Sequence, residues 1–225
     1  MRILVALLAV ALMAAPAFGD WYYRGEYNGW GSTLMTDNSD GTFSIGLGTL
    51  GALPDDRTTW KFADTNDPGD WDWPGSGDSW GYTDGSGNLT ITLDTNTYAD
   101  GWVNDDMRIK LDYDPGHQWQ AVGDFNGWNA SDPTWNMSSL GGGIYEVQGT
   151  IAVPGDHWWK AIEAGTWDAI GGDARSVNAD NVLYTTTVPN ETVVFQVDVL
   201  NGVVPEPTSL ALLGLGALTL LRRRR

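Results

Sequence analysis

The sequence predicts an all-β protein: two small β-sandwiches in tandem, flanked by an N-terminal signal helix and a C-terminal membrane helix. Three observations lead there. Apolar residues alternate with polar ones over short runs, the period of a half-buried strand. These runs are separated by Gly-, Asp- and Asn-rich turns at the close spacing of a sandwich, and no stretch between the ends shows an amphipathic helical period. One phrase is also written twice, "GEYNGWG" at 25–31 and "GDFNGWN" at 123–129, 98 residues apart.

In the first copy, strands are predicted at 20–25, 42–48, 58–63, 89–94 and 107–113. In the last of these, Met107, Ile109, Leu111 and Tyr113 alternate with Arg108, Lys110 and Asp112. In the second copy, strands are predicted at 118–122, 144–151, 157–162, 182–188 and 192–199. There Val193, Phe195, Val197 and Val199 alternate with Val194, Gln196 and Asp198. Within "TTWKF", strand parity puts Trp60 and Phe62 on one face and Lys61 on the other. "DPGH" at 114–117 reads as a linker, which gives sandwiches over 20–114 and 118–202. "TDNSDG" at 36–41 reads as a hairpin turn. Thr36 stands where a calcium loop needs its first ligand, and no Glu follows at the required distance.

The duplication extends past the opening phrase. Trp21 and Trp119 lie 98 residues apart, Trp60-Lys61 and Trp159-Lys160 99 apart, and Trp71 and Trp167 96 apart. Landmarks in one order at one period indicate a repeated structural unit. The offset falls to 93 at Asn88 and Asn181, which places the extra residues of the first copy in the Trp-rich loop of 70–87.

The two ends of the chain differ from the rest. Residues 1–19 hold one base, Arg2, then an apolar run from Ile3 to Ala15 and a small-x-small pattern at Ala17-Phe18-Gly19. That is the layout of a secretory signal peptide. At the other end, Pro205-Glu206-Pro207 can continue neither helix nor strand and predicts an exposed, extended hinge. An apolar run from Leu210 to Leu221 and four arginines follow. The run is shorter than the ~20 residues of an unstrained membrane helix, but it can insert with local thinning, its arginines on the cytoplasmic side. In order and position, residues 203–225 resemble the PEP-CTERM sorting signal of exosortase substrates. The resemblance implies an exported protein whose partners are an exosortase, cutting near Pro205–Pro207, and the membrane, through the C-terminal helix.

Composition excludes several functions. With Arg2, the four terminal arginines and Glu206 set aside, 7 of the 12 bases face 28 of the 29 acids, a net charge of −21. Such a surface repels phosphate backbones, so nucleic acid is not expected as a partner, whereas a neutral polymer meets no penalty. Cysteine is absent, which removes disulfides and thiolate metal sites. The two histidines, His117 and His157, fall in no metal-ligand pattern, and no nucleophile motif is present. No cofactor, metal or catalytic residue is assigned, and the chain reads as a non-enzyme. All 13 tryptophans lie between the ends. In "DWDWPGSGDSWGY", 70–82, Trp71, Trp73 and Trp80 sit among Asp, Gly, Ser and Pro, a loop composition that suggests contact residues rather than core.

The order of strand, "GDFNGW", aromatic strand, "WK", Trp and Asn resembles the glycogen- and starch-binding modules. These are early-set, immunoglobulin-like sandwiches found in the AMP-activated kinase β subunit and in branching and debranching enzymes. The resemblance implies sugar-stacking roles for Trp30 and Trp71 in the first copy and for Trp128 and Trp167 in the second. It implies hydroxyl-binding roles for Lys61 and Asn88, and for Lys160 and Asn181. "WWKAI" lacks the family's Phe after the lysine, and the approach to Trp71 is longer than usual. The residue types suit the chemistry: an indole covers the apolar face of a pyranose, while Lys and Asn fix its hydroxyls. The implied partner is a neutral polysaccharide, α-glucan-like. The alternative is a structural or adhesive envelope protein that uses the sandwiches as spacers without binding a glycan.

Overall fold

The computed structural model describes residues 19–67, 69–71, 73–74, 77–102, 107–172, 175–205 and 208–209. The signal segment apart from Gly19, Glu206, Pro207 and the apolar run with its arginines lie outside the described residues. Among the described residues, no helix is long and apolar enough to cross a membrane.

The fold is all-β. Residues 22–111 supply β1 (Tyr22–Gly25), β2 (Thr33–Leu34), β3 (Thr36–Asp37), β4 (Thr42–Gly46), β5 (Arg57–Ala63), β6 (Ser79–Tyr82), β7 (Thr90–Asp94) and β8 (Arg108–Leu111). Residues 119–209 supply β9 (Trp119–Gly123), β10 (Ser138–Gly141), β11 (Ile144–Ile151), β12 (Gly155–Glu163), β13 (Asp168–Ile170), β14 (Arg175–Val177), β15 (Val182–Thr186), β16 (Glu191–Asp198) and β17 (Thr208–Ser209). They form four antiparallel sheets. Sheet A runs β2-β1-β5-β6 and sheet B runs β3-β4-β7-β8. Sheet C runs β14-β13-β12-β15 with β9 on the other edge of β12, and sheet D runs β10-β11-β16-β17.

Alternation along the strands builds the cores. Sheets A and B close over Tyr23, Phe43, Trp60, Phe62, Ile91 and Leu93. Sheets C and D close over Trp119, Trp159, Tyr184, Phe195 and Val197. Each such side chain, fully buried, contributes about 1.5–3 kcal/mol, which suffices to order a sandwich that has no disulfide. The segment 36–41 forms the β3–β4 hairpin turn, with Ser39 and Gly41 in left-handed backbone.

Three sequence expectations change. First, Trp80 is not a loop contact residue. It lies on β6, is 1% exposed and belongs to the core of the second sandwich. Trp73 bridges Phe62 and packs half-buried on the first core, so of the three loop tryptophans only Trp71 is exposed. Second, the segment at 114–117 belongs to a built joint. Trp80 stacks on Trp119, with ring centroids 5.8 Å apart, and lies beneath the Arg175 guanidinium. Arg57 forms a two-pronged pair with Asp168, both bonds 2.7 Å. Tyr82 donates to Glu163, which also lies 2.8 Å from His117. The Val177 amide donates to the Asp78 carbonyl at 2.9 Å, and a side chain at Gly77 would collide with the Val177 carbonyl. Third, the approach to the C-terminal signal is docked rather than free. Val203 and Val204 are buried, Pro205 bridges Trp102, and Thr208–Ser209 pair with Val194 and Val193 as the edge of sheet D.

Candidate functional site

The twice-written phrase makes the same turn twice. After β1, Glu26–Asn28 forms one 3-10 turn, and after β9, Asp124–Asn126 does the same. The Asn side chain accepts from the amide that opens each turn, Gly25 to Asn28 at 2.9 Å and Gly123 to Asn126 at 3.1 Å. The chain then takes two left-handed residues, Gly29-Trp30 and Gly127-Trp128, and the Trp amide returns to the opening carbonyl at 2.8 and 2.9 Å. Glycine adopts this backbone freely, whereas tryptophan does so under constraint. The acid of each phrase accepts the amide of the neighbouring strand just before its core Trp. Glu26 takes Thr59 N at 3.2 Å and Asp124 takes Trp158 N at 2.9 Å. In the second copy a further bond runs from Trp128 Nε1 to Asp124 Oδ1 at 3.0 Å.

The second copy gathers its predicted residues on the outward face of sheet C. One side of Trp128 rests on a small apolar cluster of Val122, Ile162, Ala169 and Ala179. Trp167 is 45% exposed at the β12–β13 turn, which is tied to the Trp128 turn by a bond from Gly165 N to Ala130 O. Lys160 Nζ lies 5.8 Å from the Trp167 ring and donates to the Ala179 carbonyl at 2.9 Å. Lys160 is therefore a buried strut under the platform, 9% exposed, that fixes the turn leading to Asn181. Asn181 lines an open depression with Trp128, Asp180 and Trp158. Trp158 is a residue the sequence reading passed over. It is 45% exposed and faces outward because its neighbour Trp159 faces the core. The doubled "WW" in "HWWKAI" was the signal, since strand parity turns one of the two outward.

In the first copy, Trp30 and Trp71 pack on each other, with ring centroids 5.8 Å apart and tilted by 54°. Trp71 lies over buried Arg24, which opposes Lys61 across β1 and β5. Lys61 Nζ donates to the Pro74 carbonyl at 2.7 Å. As strand parity predicted, Lys61 points away from buried Trp60 and Phe62. Asn88 sits in the β6–β7 turn, where its side chain donates to Asp84 at 3.3 Å and packs on Gly48. Register assigns a different counterpart to Asn181. Val182 pairs with Trp159 as Ser79 pairs with Trp60, so Asn181 corresponds to Asp78. The same register pairs Trp158 with Leu183 and Thr59 with Trp80. Of the sorting residues, Pro205 lies half-buried against Trp102, while Glu206 and Pro207 lie outside the described residues.

Residues 203–225 match the PEP-CTERM protein-sorting motif. The chain is thus an exported protein with a C-terminal sorting signal. No curated protein matches it. Among solved structures, the crystal structure of SusF from Bacteroides thetaiotaomicron is similar at a TM-score of 0.33 and 18% identity, over 87% of this chain and 49% of that one. The chain spans about half the length of that protein, and a likeness this distant carries no functional argument.

Proposed function

We propose that the protein is a non-catalytic, exported glycan-binding protein that holds a neutral glucan, α-linked by preference, through tryptophan stacking. The observation behind this reading is the outward face of sheet C. Trp128 and Trp158 flank an open depression there with Asn181 and Asp180, while Trp167 lies near the cation of Lys160, which is directed onto a backbone carbonyl. Flat apolar rings beside polar side chains suit a pyranose, and the acidic surface disfavours a polyanion. We take binding to occur without turnover, with Asp124 serving to hold Trp128 and Trp158. In this reading the C-terminal segment meets an exosortase and the membrane. Affinity electrophoresis of residues 20–203 in gels containing amylose, glycogen or a β-glucan tests it: retardation is expected and sugar release is not. Hydrolysis of the matrix, abolished by a single Asp substitution, would refute the non-catalytic reading.

A second reading, a structural envelope protein, draws on the built joint between the sandwiches. Migration unaffected by every glucan would favour it.

A further inference from the structure

We infer that the second sandwich holds the principal glycan site. Trp128 and Trp158 are its two platforms, with Asn181 and Asp180 reading hydroxyls between them, and the joint has closed the corresponding place in the first sandwich. This rests on the glycan reading above and makes it more specific.

The argument is one of register. Paired residues on neighbouring strands share a face, so Thr59 and Trp80 on sheet A stand where Trp158 and Leu183 stand on sheet C. In the second sandwich this patch is open, with Trp158 45% and Leu183 44% exposed. In the first it is closed, with Thr59 9% and Trp80 1% exposed, because Trp80 enters the core of the second sandwich. Asp78, in the place of Asn181, gives its carbonyl to Val177. The second sandwich thus presents a ring that its counterpart lacks.

The aromatic geometry agrees. Trp30 and Trp71 are in mutual contact, so no sugar fits between them, and Arg24 lies against the Trp71 ring. Trp128 and Trp158 instead flank an open depression whose other walls are Asp180 and Asn181. That pairing of apolar walls with a carboxylate and an amide suits a neutral pyranose. C–H faces meet the rings, and hydroxyls donate to Asp180 and exchange bonds with Asn181. Trp158 is held for this role. Its amide is fixed by Asp124, which also fixes the Trp128 indole, so one carboxylate sets the spacing of both platforms.

The test uses the exported chain in amylose and glycogen gels, at low and high salt, with Trp158→Ala, Trp158→Phe, Trp128→Ala and Trp30→Ala. Trp158 is exposed, so its replacement leaves the core intact, which circular dichroism checks. Trp158→Ala and Trp128→Ala are each expected to weaken binding about tenfold, the worth of one lost ring contact. Trp158→Phe should retain most of it, Trp30→Ala should stay within about twofold, and salt should change little. If Trp158→Ala runs like the parent while Trp128→Ala does not, Trp158 is no platform and the inference falls, though the glycan reading stands. If Trp30→Ala loses as much as Trp128→Ala, the two sandwiches are equivalent and the asymmetry falls. Retardation that vanishes in salt means that charge rather than ring stacking holds the protein in the gel and overturns both, as does a parent that no glucan retards.

Discussion

Asp124 and Trp128 are joined by a hydrogen bond from the indole nitrogen to one carboxylate oxygen at 3.0 Å, while the other oxygen takes the amide of Trp158. Asn at position 124 can accept only through its single carbonyl oxygen. Asp124→Asn is expected to cost about 1 kcal/mol of stability and to weaken glucan binding several-fold by loosening the indoles. Thermal unfolding and gel retardation measured on the same sample check this. Loss of binding with an unchanged Trp emission spectrum would count against a positioning role.

Trp80 joins the two sandwiches, and its removal should uncouple them. Trp80→Ala is expected to cost about 3–5 kcal/mol. Differential scanning calorimetry should show one transition in the parent and two in the variant, the second sandwich melting first because the cavity lies in its core.

The two lysines at matched positions should behave differently. Lys160 is buried and supports the Ala179 carbonyl, so Lys160→Ala leaves that acceptor unpaired and costs about 1–3 kcal/mol. Lys61, more exposed on the carbonyl of Pro74, should cost less on the same change. Chemical denaturation of both variants ranks them.

One source of acid sensitivity should be Asp100. The two-pronged Arg108 guanidinium, 2.8 Å away at both contacts, lowers that carboxyl from its ordinary 3.8 to about 2. A carboxylate whose pKa falls on folding stabilises above its unfolded value, and the stabilisation fades as pH drops through the folded one. The contribution of this pair should therefore hold from neutral pH to about 4 and fade towards 2. Arg108→Ala should move the acid midpoint upward, as read by fluorescence during acid titration.

Export makes a separate prediction. Mass spectrometry of envelope and medium fractions should find a chain that begins at Asp20 and, after processing, ends near Pro205–Pro207. A cytoplasmic chain that keeps both ends would contradict it.

Much of the fold was legible because its signals are local. Alternation located Arg57–Ala63, Ile144–Ile151 and Glu191–Asp198 within a residue or two. The short strand Ser79–Tyr82 escaped because Gly81 interrupts its pattern and Trp80 owes its burial to residues beyond position 118, a contact no local window contains. The loop length was misplaced for a related reason. Trp60 meets Ser79 19 residues on, while Trp159 meets Val182 23 residues on, so the second copy, not the first, is longer between these strands. Counting between asparagines matched Asn88 to Asn181, whereas strand pairing matches Asp78. The motif residues Trp128, Lys160, Trp167 and Asn181 did converge on one face. The role of Lys160 as a strut depends on the carbonyl of Ala179, and backbone acceptors leave no mark in sequence.

The left-handed backbone at Trp30 and Trp128 works against folding by roughly 1–2 kcal/mol at each residue. The contacts that hold each ring, Asp124 and the small apolar cluster at Trp128 and Trp71 at Trp30, remove a freedom that would otherwise be given up when a ligand arrives, an ordering cost of about 0.5–1.5 kcal/mol per side chain at an interface. These turns move an entropic penalty from the encounter to the biosynthesis of the protein, where it is met once per molecule. Trp128→Gly should accordingly relieve that strain yet lower the melting temperature, because it also removes the packing on Val122, Ile162, Ala169 and Ala179 and the bond to Asp124.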